Sequence, residues 1–511
     1  MDIDTTIQQD ELATFVGTVE LAFRDRDFPK IHDLILSQTP AVWFGLKSER
    51  FFEIIETLVT EYPETNILIR TCHEMVAAPG PGSFDLPEII AAMDIADPQQ
   101  MFFLTLFRMF EGRLHGYPVD SLEQSEQLEK HLGKMRPFAY GQAGWGLHVP
   151  IQIGVSAMLA GDFTRALAAF TQAQLHPTMP KFSFLMRDAL VKSGLIHAAF
   201  GEIGTAQSLL ERSEQIPRTS SWVEAQIDVH RDFAKLLATD QPSDQALETL
   251  QSFDLHDIGE MWPFYILATH RLFDAGGLHA ELEHQLSMFD SMPFPKQDGI
   301  GFTGSIIPLK RALVAMRGGR VSEAQEFMDR ADPRLAYTQL IQAALHLLAG
   351  RPNQAKHEAL RLHDETRGYR LLEVRRLAIL AASHLQSGDM VSSINTLEQA
   401  AALPHGLRQG EVLLFSPETR ELARNRVSKW PAESPSASLF LTGLPKPGLA
   451  LTEREIEIIG QLAAGHTRAQ ISENLFISLN TVKTQLQSIY RKLAVSSRDE
   501  AVQGAQRRGL I

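Results

Sequence analysis

A short pattern recurs along the middle of the chain and limits the fold more than any other feature of the sequence. An apolar segment with helical spacing ends in a turn, usually at glycine, and a small residue then follows in the next amphipathic segment. The turns lie near residues 161, 201, 240, 277, 318, 350 and 388, so they are 32 to 41 residues apart. This spacing is typical of stacked helix pairs. Pairs must stack because one pair cannot bury its own apolar face. We therefore predict an α-solenoid, with an irregular helical bundle as the alternative.

The residues at these turns fit that interpretation. Glycine permits a tight turn between helices, and the turn near residue 240 uses Asp240 and Pro242 instead. Small residues let the two helices of a pair approach closely, and they are Ala166, Ala206, Ala324 and Ala355. The pattern resembles the tetratricopeptide-like repeats of large bacterial regulators, although the Trp and Tyr positions of the tetratricopeptide consensus are absent.

Strand signals are scarce, since no alternating apolar segments are closed by Asn-Gly or Asp-Gly turns. The predicted fold class is therefore all-α, with four regions. Residues 1–150 form an N-terminal helical region that starts or caps the array, and residues 151–430 form the repeats. Residues 431–450 contain four prolines and three serines and are predicted to be a linker. Residues 451–511 form a separate C-terminal domain of four helices.

Composition excludes several classes of protein. The single cysteine, Cys72, rules out an intrachain disulfide and any multi-thiolate metal site. The first residues are acidic and polar, unlike a signal peptide, and no apolar run reaches the ~18 residues of a membrane span. We expect a cytoplasmic protein that does not enter membranes. The net charge of -14 argues against a protein that coats nucleic acid along its whole length.

Capping residues divide the C-terminal domain into helices. Thr452 with Glu455 and Thr467 with Gln470 are capping boxes that open the first two helices, and Ser478 opens the third. Ser497 with Glu500 opens a fourth, which is expected to stop at Gly509. Only Phe476 and Ile477 separate the second and third helices. Two short helices joined by so tight a turn indicate a helix-turn-helix.

Spacing along the domain predicts its core. The apolar positions with core spacing are Ile456, Ile459, Leu462, Ile471, Leu475, Ile477, Val482, Leu486, Ile489, Tyr490, Leu493 and Ala501. Positions 480, 483, 484 and 487 share the opposite face of the third helix.

Charge separates sharply between this domain and the rest of the chain. Residues 451–511 contain eight basic and six acidic residues, whereas the remainder contains 40 basic and 56 acidic residues. No acidic residue lies between Asn474 and Arg498. The acidity therefore belongs to the array, and the third helix lies in a locally positive segment, as nucleic-acid binding requires.

The pattern LTxRExEIxxxLAxG…ISxxTVKxxLxxIYxKLxVxSRxxA…GLI resembles the LuxR-type helix-turn-helix domain over all of residues 451–511. The resemblance implies that the third helix enters the major groove of DNA. It gives Lys483, Thr484 and Gln487 as base readers and Thr481, Lys483, Arg491 and Arg498 as residues near phosphate. Gln485 stands where the family usually has His, so the operator preference is expected to differ. Lys492 is expected to be solvated.

The N-terminal region also carries a resemblance. The segment from Ile54 to Val76 reads as a helix pair broken at Pro63, similar to the first repeats after the ATPase of the large LuxR-type regulators. Those regulators have a P-loop, and no GxxxxGK[ST] motif occurs here. The glycine-rich segment 141–146 is followed by Leu147 and is interpreted as an interhelical turn.

We found no pattern for a catalytic or metal site, so neither an enzyme nor a cofactor is predicted. The aromatic segments at Phe102, Phe103, Phe107 and Phe110, and at residues 262–265, are expected to be core. The alternative is a ligand or peptide groove on the concave face of the array.

The sequence predicts a bacterial transcription regulator of the LuxR family that binds double-stranded DNA as a homodimer and contacts RNA polymerase. Its repeats would act as a sensor or interaction module for an unknown effector or protein partner. The family's fourth helix, here near Ala501 to Gln506, often forms the dimer contact. The alternative is a protein-interaction scaffold with a vestigial helix-turn-helix.

Overall fold

The computed structural model describes residues 10–77, 94, 96–134, 144–177, 179–239, 244–432, 451, 453–493, 495 and 497–507. Within these ranges the chain forms helices and no β-strand, so the all-α prediction is confirmed. No helix in this part of the chain is both long and apolar enough to cross a membrane. The N-terminal helices are α1 (Glu11–Arg24), α2 (Phe28–Ser37), α3 (Thr39–Gly45), α4 (Ser48–Glu61), α5 (Ile67–Ala77), α6 (Pro98–Leu114) and α7 (Pro118–Lys134).

Helices α4 and α5 flank Pro63, as the sequence predicted for this segment. Proline lacks a backbone N–H and ends a helix that precedes it. Helices α6 and α7 form a further pair that lies against the first helix of the array.

Helix pairs follow one another through the middle of the chain, one at each predicted turn. The pairs are α8 (Trp145–Ala160) with α9 (Phe163–Gln174), α10 (Ser183–Phe200) with α11 (Ile203–Glu214), α12 (Glu224–Leu237) with α13 (Asp244–Ser252), α15 (Trp262–Ala275) with α16 (His279–Ser291), α17 (Gly301–Arg317) with α18 (Val321–Met328), α19 (Ala336–Leu348) with α20 (Pro352–Arg361), and α22 (Arg370–Gln386) with α23 (Met390–Ala401). Short helices α14 (Leu255–Ile258) and α21 (His363–Thr366) lie between pairs, and α24 (Gln409–Val412) and α25 (Pro417–Arg426) follow the last pair. The predicted boundary between residues 150 and 151 falls inside α8, and the other region boundaries stay predictions.

The turns use glycine as expected at most positions. Gly161, Gly277, Gly319, Gly350 and Gly388 all have positive φ, a conformation that other residues adopt at a cost. The second turn is different, because Gly201 has φ -103. The turn near residue 240 lies outside the described residues. Ala166, Ala206, Ala324 and Ala355 are fully buried, so the predicted close approach of paired helices is confirmed.

The array curls until distant repeats touch. Aromatic rings from successive pairs meet in one cluster, and they are Phe163, Phe200, Phe264, Phe302, Tyr337 and Tyr369. The ring centroids of Phe163 and Phe302 are 5.4 Å apart, and Thr164 Oγ1 lies 3.0 Å from Tyr369 Oη. Arg408 also forms an ion pair with Glu202. The first and second pairs therefore contact the fifth and seventh, which an extended solenoid does not allow.

One predicted aromatic segment takes part in this core. Phe264 is fully buried in the cluster, and the Trp262 ring stacks on Phe294 with centroids 4.3 Å apart. The expectation of core packing is confirmed for residues 262 and 264, and the alternative of a groove is wrong for these two.

A buried ionic cluster joins two neighbouring pairs. Arg187 on α10 is 1% exposed; its Nη2 donates to Asp228 Oδ1 at 2.9 Å and its Nε donates to the Ser213 carbonyl at 3.2 Å. Its Nη1 donates to Glu224, which is also buried. Ion pairs between the buried Arg187 and the two carboxylates therefore hold α10 against α12.

Buried histidines make the array sensitive to acid. Burial lowers the pKa of His148 from 6.5 to about 3, with Arg113 adding to the effect, and burial lowers the pKa of His230 to about 4. The folded chain therefore keeps both rings neutral below pH 6.5, whereas the unfolded chain takes up protons. This contribution to stability is complete above pH 6.5 and is lost as pH falls toward the folded-state values.

We expect each of these histidines to lower the free energy of unfolding by about 2 kcal/mol when the pH falls from 7 to 5. His148→Gln removes one titrating ring, so its urea-unfolding free energy should fall less than that of the unmodified chain over this range. His284→Gln, at an exposed position on α16, is the control and should keep the full dependence. Equal pH dependence in the two variants would contradict the assignment.

The C-terminal domain contains α26 (Glu453–Ala463), α27 (Arg468–Asn474), α28 (Leu479–Leu493) and α29 (Arg498–Arg507). Every apolar residue predicted for its core is buried or partly buried in one cluster. The sequence interpretation missed Leu451, Ile458 and Ala505, which are also buried there. The prediction of four helices around a small core is therefore confirmed.

Candidate nucleic-acid interface

Helices α27 and α28 form the helix-turn-helix, and the predicted caps define both of their starts. The Thr467 backbone N–H donates to Gln470 Oε1 at 2.8 Å, and the Gln470 N–H donates to Thr467 Oγ1 at 3.3 Å. Ser478 Oγ accepts from the Thr481 N–H at 3.0 Å and so opens α28. Phe476 in the turn has φ 53 and is almost fully exposed. Ser497 caps α29 by accepting from the Glu500 N–H, and the expected stop at Gly509 and the cap at Thr452 lie outside the described residues.

Helix α28 has one buried face and one exposed polar face. Val482, Leu486 and Ile489 lie in the core of the domain and are at most 2% exposed. Polar and basic side chains able to hydrogen-bond with nucleic acid lie exposed on the other side of the helix. They belong to Asn480, Thr481, Lys483, Thr484 and Gln487. The predicted separation of α28 into a buried apolar face and an exposed polar face is therefore confirmed.

The exposed side chains offer both donors and acceptors. Thr484 Oγ1 donates to the Asn480 carbonyl at 3.0 Å, so its oxygen lone pairs remain able to accept. Thr481 Oγ1 lies 2.8 Å from Ser478 Oγ. Lys483 forms no ion pair with any carboxylate in the described part of the chain. Lys483 carries a cation and Gln487, one turn later, carries an amide; both are kinds of group that read base edges in the major groove of protein–DNA complexes.

The structure describes the side chain of only one of the two arginines predicted to lie near phosphate, Arg498. Arg491 lies on α28, and its side chain is outside the described residues. Arg498 is exposed, but its Nη2 donates to the Leu462 carbonyl at 2.9 Å and lies near the His466 carbonyl. Arg498 thus joins the start of α29 to the end of α26, a structural contact that the sequence interpretation did not include.

Lys492 corrects the expectation of a solvated lysine. Its Nζ donates to Glu455 Oε2 at 2.6 Å, and the Glu455 side chain is 2% exposed. This ion pair holds α26 against α28 and places Lys492 on the inner side of the domain. Arg454 makes a second tie that was missed, because its guanidinium donates to the Leu475 carbonyl at the helix-turn-helix turn. No local signal identifies either contact, since the partners lie 21 and 37 residues apart.

This domain is similar to known regulatory proteins. Residues 449–505 match the family described as bacterial regulatory proteins, luxR family. Over 57 residues the chain is 42% identical to the HTH-type transcriptional regulator MalT of Yersinia pestis (strain Pestoides F), covering 11% of this chain and 6% of that protein. Over 65 residues it is 45% identical to the transcriptional regulatory protein LiaR of Bacillus subtilis (strain 168), covering 13% of this chain and 31% of that protein.

The chain thus spans only 6% and 31% of the lengths of these two relatives, and the two matches cover only 11% and 13% of the chain. The family match covers most of the four-helix domain, including α28 with its exposed polar face. The C-terminal domain is a helix-turn-helix domain of the bacterial luxR family.

Proposed function

We propose that this chain is a transcription regulator that binds double-stranded DNA through α28. The observation that carries the proposal is the polar, acid-free face of a helix whose other face is fixed in the core of a luxR-type domain. Lys483, Thr484 and Gln487 would read base edges in the major groove. Thr481, Lys483, Arg491 and Arg498 would lie near phosphates. The names of the two relatives, both transcriptional regulators, support this function.

Binding as a dimer follows from the size of the site. One recognition helix covers only a half-site, so a specific regulator of this kind pairs two copies on DNA. The predicted dimer helix α29 directs Ala501 and Ala505 into the core of its own domain. A dimer contact would therefore use its outer side, where Gln503 is exposed.

The remaining roles extend this proposal. The array would act as the sensor or interaction module, contact with RNA polymerase would convey the effect, and the protein would work in the cytoplasm without catalysing a reaction. The 450 residues before the domain carry 56 acidic and 40 basic residues. This charge would repel DNA phosphates and leave contact to the C-terminal domain.

Lys483→Ala in the full-length chain should weaken binding to a DNA site selected from a random library by about 1–3 kcal/mol, roughly 5- to 150-fold. The reason is the loss of a cation that contacts a base or phosphate. Fluorescence anisotropy at fixed salt measures the effect. Lys429→Ala, which removes an exposed lysine outside the domain, is the matched control and should bind as the unmodified chain does.

Two outcomes would contradict the proposal. Unchanged sequence-specific DNA binding by the Lys483→Ala variant would show that Lys483 on α28 does not contact the DNA site. Failure of the full-length chain to enrich any DNA sequence would favour the alternative of a protein-interaction scaffold with a vestigial helix-turn-helix.

A further inference from the structure

A cavity of about 490 Å³ lies between the N-terminal helices and the first repeats. Its walls come from α2 to α6 on one side and from α8, α10 and α12 on the other. Two hydrogen bonds hold the sides together: Ser221 Oγ donates to the Phe44 carbonyl at 2.8 Å, and Trp222 Nε1 donates to the Trp43 carbonyl at 2.8 Å. Small-molecule sites occupy about 300–1,000 Å³, so this volume fits one organic ligand.

The wall is mainly aromatic and aliphatic. It includes Trp43, Phe51, Phe103, Phe107, Phe110 and Trp145. Protein interiors are close-packed and contain few voids larger than a water molecule, so a space of this size beside the buried rings of Phe51, Phe103 and Trp145 is not ordinary core packing. The aromatic residues of segment 102–110 pack in one core cluster, as expected, and Phe103, Phe107 and Phe110 also line the cavity.

Four buried polar side chains on the wall have atoms without a hydrogen-bond partner in the described part of the chain. The atoms are Trp145 Nε1, His148 Nδ1, Gln152 Oε1 and His230 Nδ1, on residues that are 2% to 9% exposed. Buried polar groups are nearly always hydrogen-bonded. Trp145, His148 and Gln152 are three and four residues apart, so they share one face of α8. These atoms therefore place polar groups that lack a partner among the described residues on a mainly apolar wall.

The chemistry of these atoms indicates which groups a ligand must present. His230 Nε2 lies 2.9 Å from the Ile258 carbonyl, which can only accept, so the proton is on Nε2 and Nδ1 is an acceptor. Gln152 Oε1 is also an acceptor. Two acceptors on the wall call for a donor on the ligand, such as a hydroxyl or an N–H group.

The charges on the wall cancel. Arg113 Nε lies 2.9 Å from Glu260 Oε1, and Lys192 is paired with Asp188. An ionic ligand would lose its hydration without finding an unpaired charge among these four residues. A carbohydrate would bring more hydroxyl groups than the apolar wall can satisfy.

We propose that this cavity is a binding site for an uncharged, mainly aromatic small molecule that carries a hydroxyl or N–H donor at one end. The site would be built jointly by the N-terminal region and the first three repeats. It does not depend on DNA binding, so it stands or fails separately from the function proposed for the C-terminal domain.

A matched pair of probes tests this site in the full-length chain. 2-Naphthol and naphthalene differ by one hydroxyl, and equilibrium dialysis at neutral pH measures the affinity of each. We expect one molecule of either probe per chain and a preference for 2-naphthol of about tenfold, because only the hydroxyl of 2-naphthol can donate a hydrogen bond, either to Gln152 or to His230.

Three variants separate the site from non-specific binding. Cys72→Trp fills part of the cavity from α5 and should weaken both probes at least about tenfold while circular dichroism stays unchanged. Gln152→Leu combined with His230→Leu should keep naphthalene and lose the preference for 2-naphthol. Gln386→Leu, a partly buried glutamine away from this wall, is the control and should keep it. Equal affinity for the two probes in the unmodified chain, or unchanged binding by Cys72→Trp, overturns the proposal.

Discussion

Phe302→Ala is expected to lower the free energy of unfolding of the array by about 3–5 kcal/mol. The Phe302 ring is fully buried and lies 5.2 to 5.8 Å, between centroids, from the rings of Phe163, Phe200 and Phe264. These rings come from four different helix pairs, so alanine leaves a cavity at the point where the array closes. Urea unfolding followed by far-ultraviolet circular dichroism measures the loss.

Hydrogen exchange distinguishes loss of closure from local damage. In an open array a substitution disturbs its neighbours, whereas here Phe302→Ala should also reduce amide protection in α9, more than 120 residues earlier in the chain. Phe289→Ala is the matched control, because within the described part of the chain this buried phenylalanine makes aromatic ring contacts only with Tyr265 and Phe294. Equal protection of α9 in both variants would show that closure does not stabilise the array.

Arg187→Met should cost about 3–5 kcal/mol of unfolding free energy, because it leaves the buried Glu224 carboxylate without its ionic partner. The backbone N–H of Thr219 still donates to Glu224 Oε1, at 2.8 Å, but a neutral donor compensates a buried charge only in part. Asp228 keeps Arg218 and Arg231 and should contribute less. Urea unfolding at neutral pH measures the change.

A second substitution tests the cause. Adding Glu224→Gln to Arg187→Met removes the unpaired charge and should recover a large part of the lost stability. Arg212→Met, at an exposed position on α11, is the control and should change stability little. A double variant as unstable as the single one would mean that the shape of the arginine, and not its charge, holds α10 and α12.

Features that depend on neighbouring residues could be predicted from the sequence. The caps at Thr467, Ser478 and Ser497 and the repeat turns all depend on residues within one or two helical turns of each other. The core of the C-terminal domain followed for the same reason, since helical spacing identifies the buried face of each helix. The exposed face of α28 was predicted on this basis, and the DNA contacts of its residues remain predictions.

Contacts between distant segments could not be predicted in this way. The spacing of the repeats gives the helix pairs but not the small rotation between them, and that rotation determines whether Phe163 meets Phe302. The pair formed by Lys492 and Glu455 and the anchoring of Arg498 depend on which helices cross. The cavity is a further example, because its wall combines residues of α8 with His230, about 80 residues later.

Closure also limits how the chain can change length. An open solenoid can gain or lose a helix pair, because each pair contacts only its neighbours. Here Thr164 contacts Tyr369 and Glu202 contacts Arg408. A helix pair added between them would displace Tyr369 and Arg408 from their partners, and both contacts would be lost. The number of helix pairs is therefore fixed by geometry, as the number of blades is in a propeller.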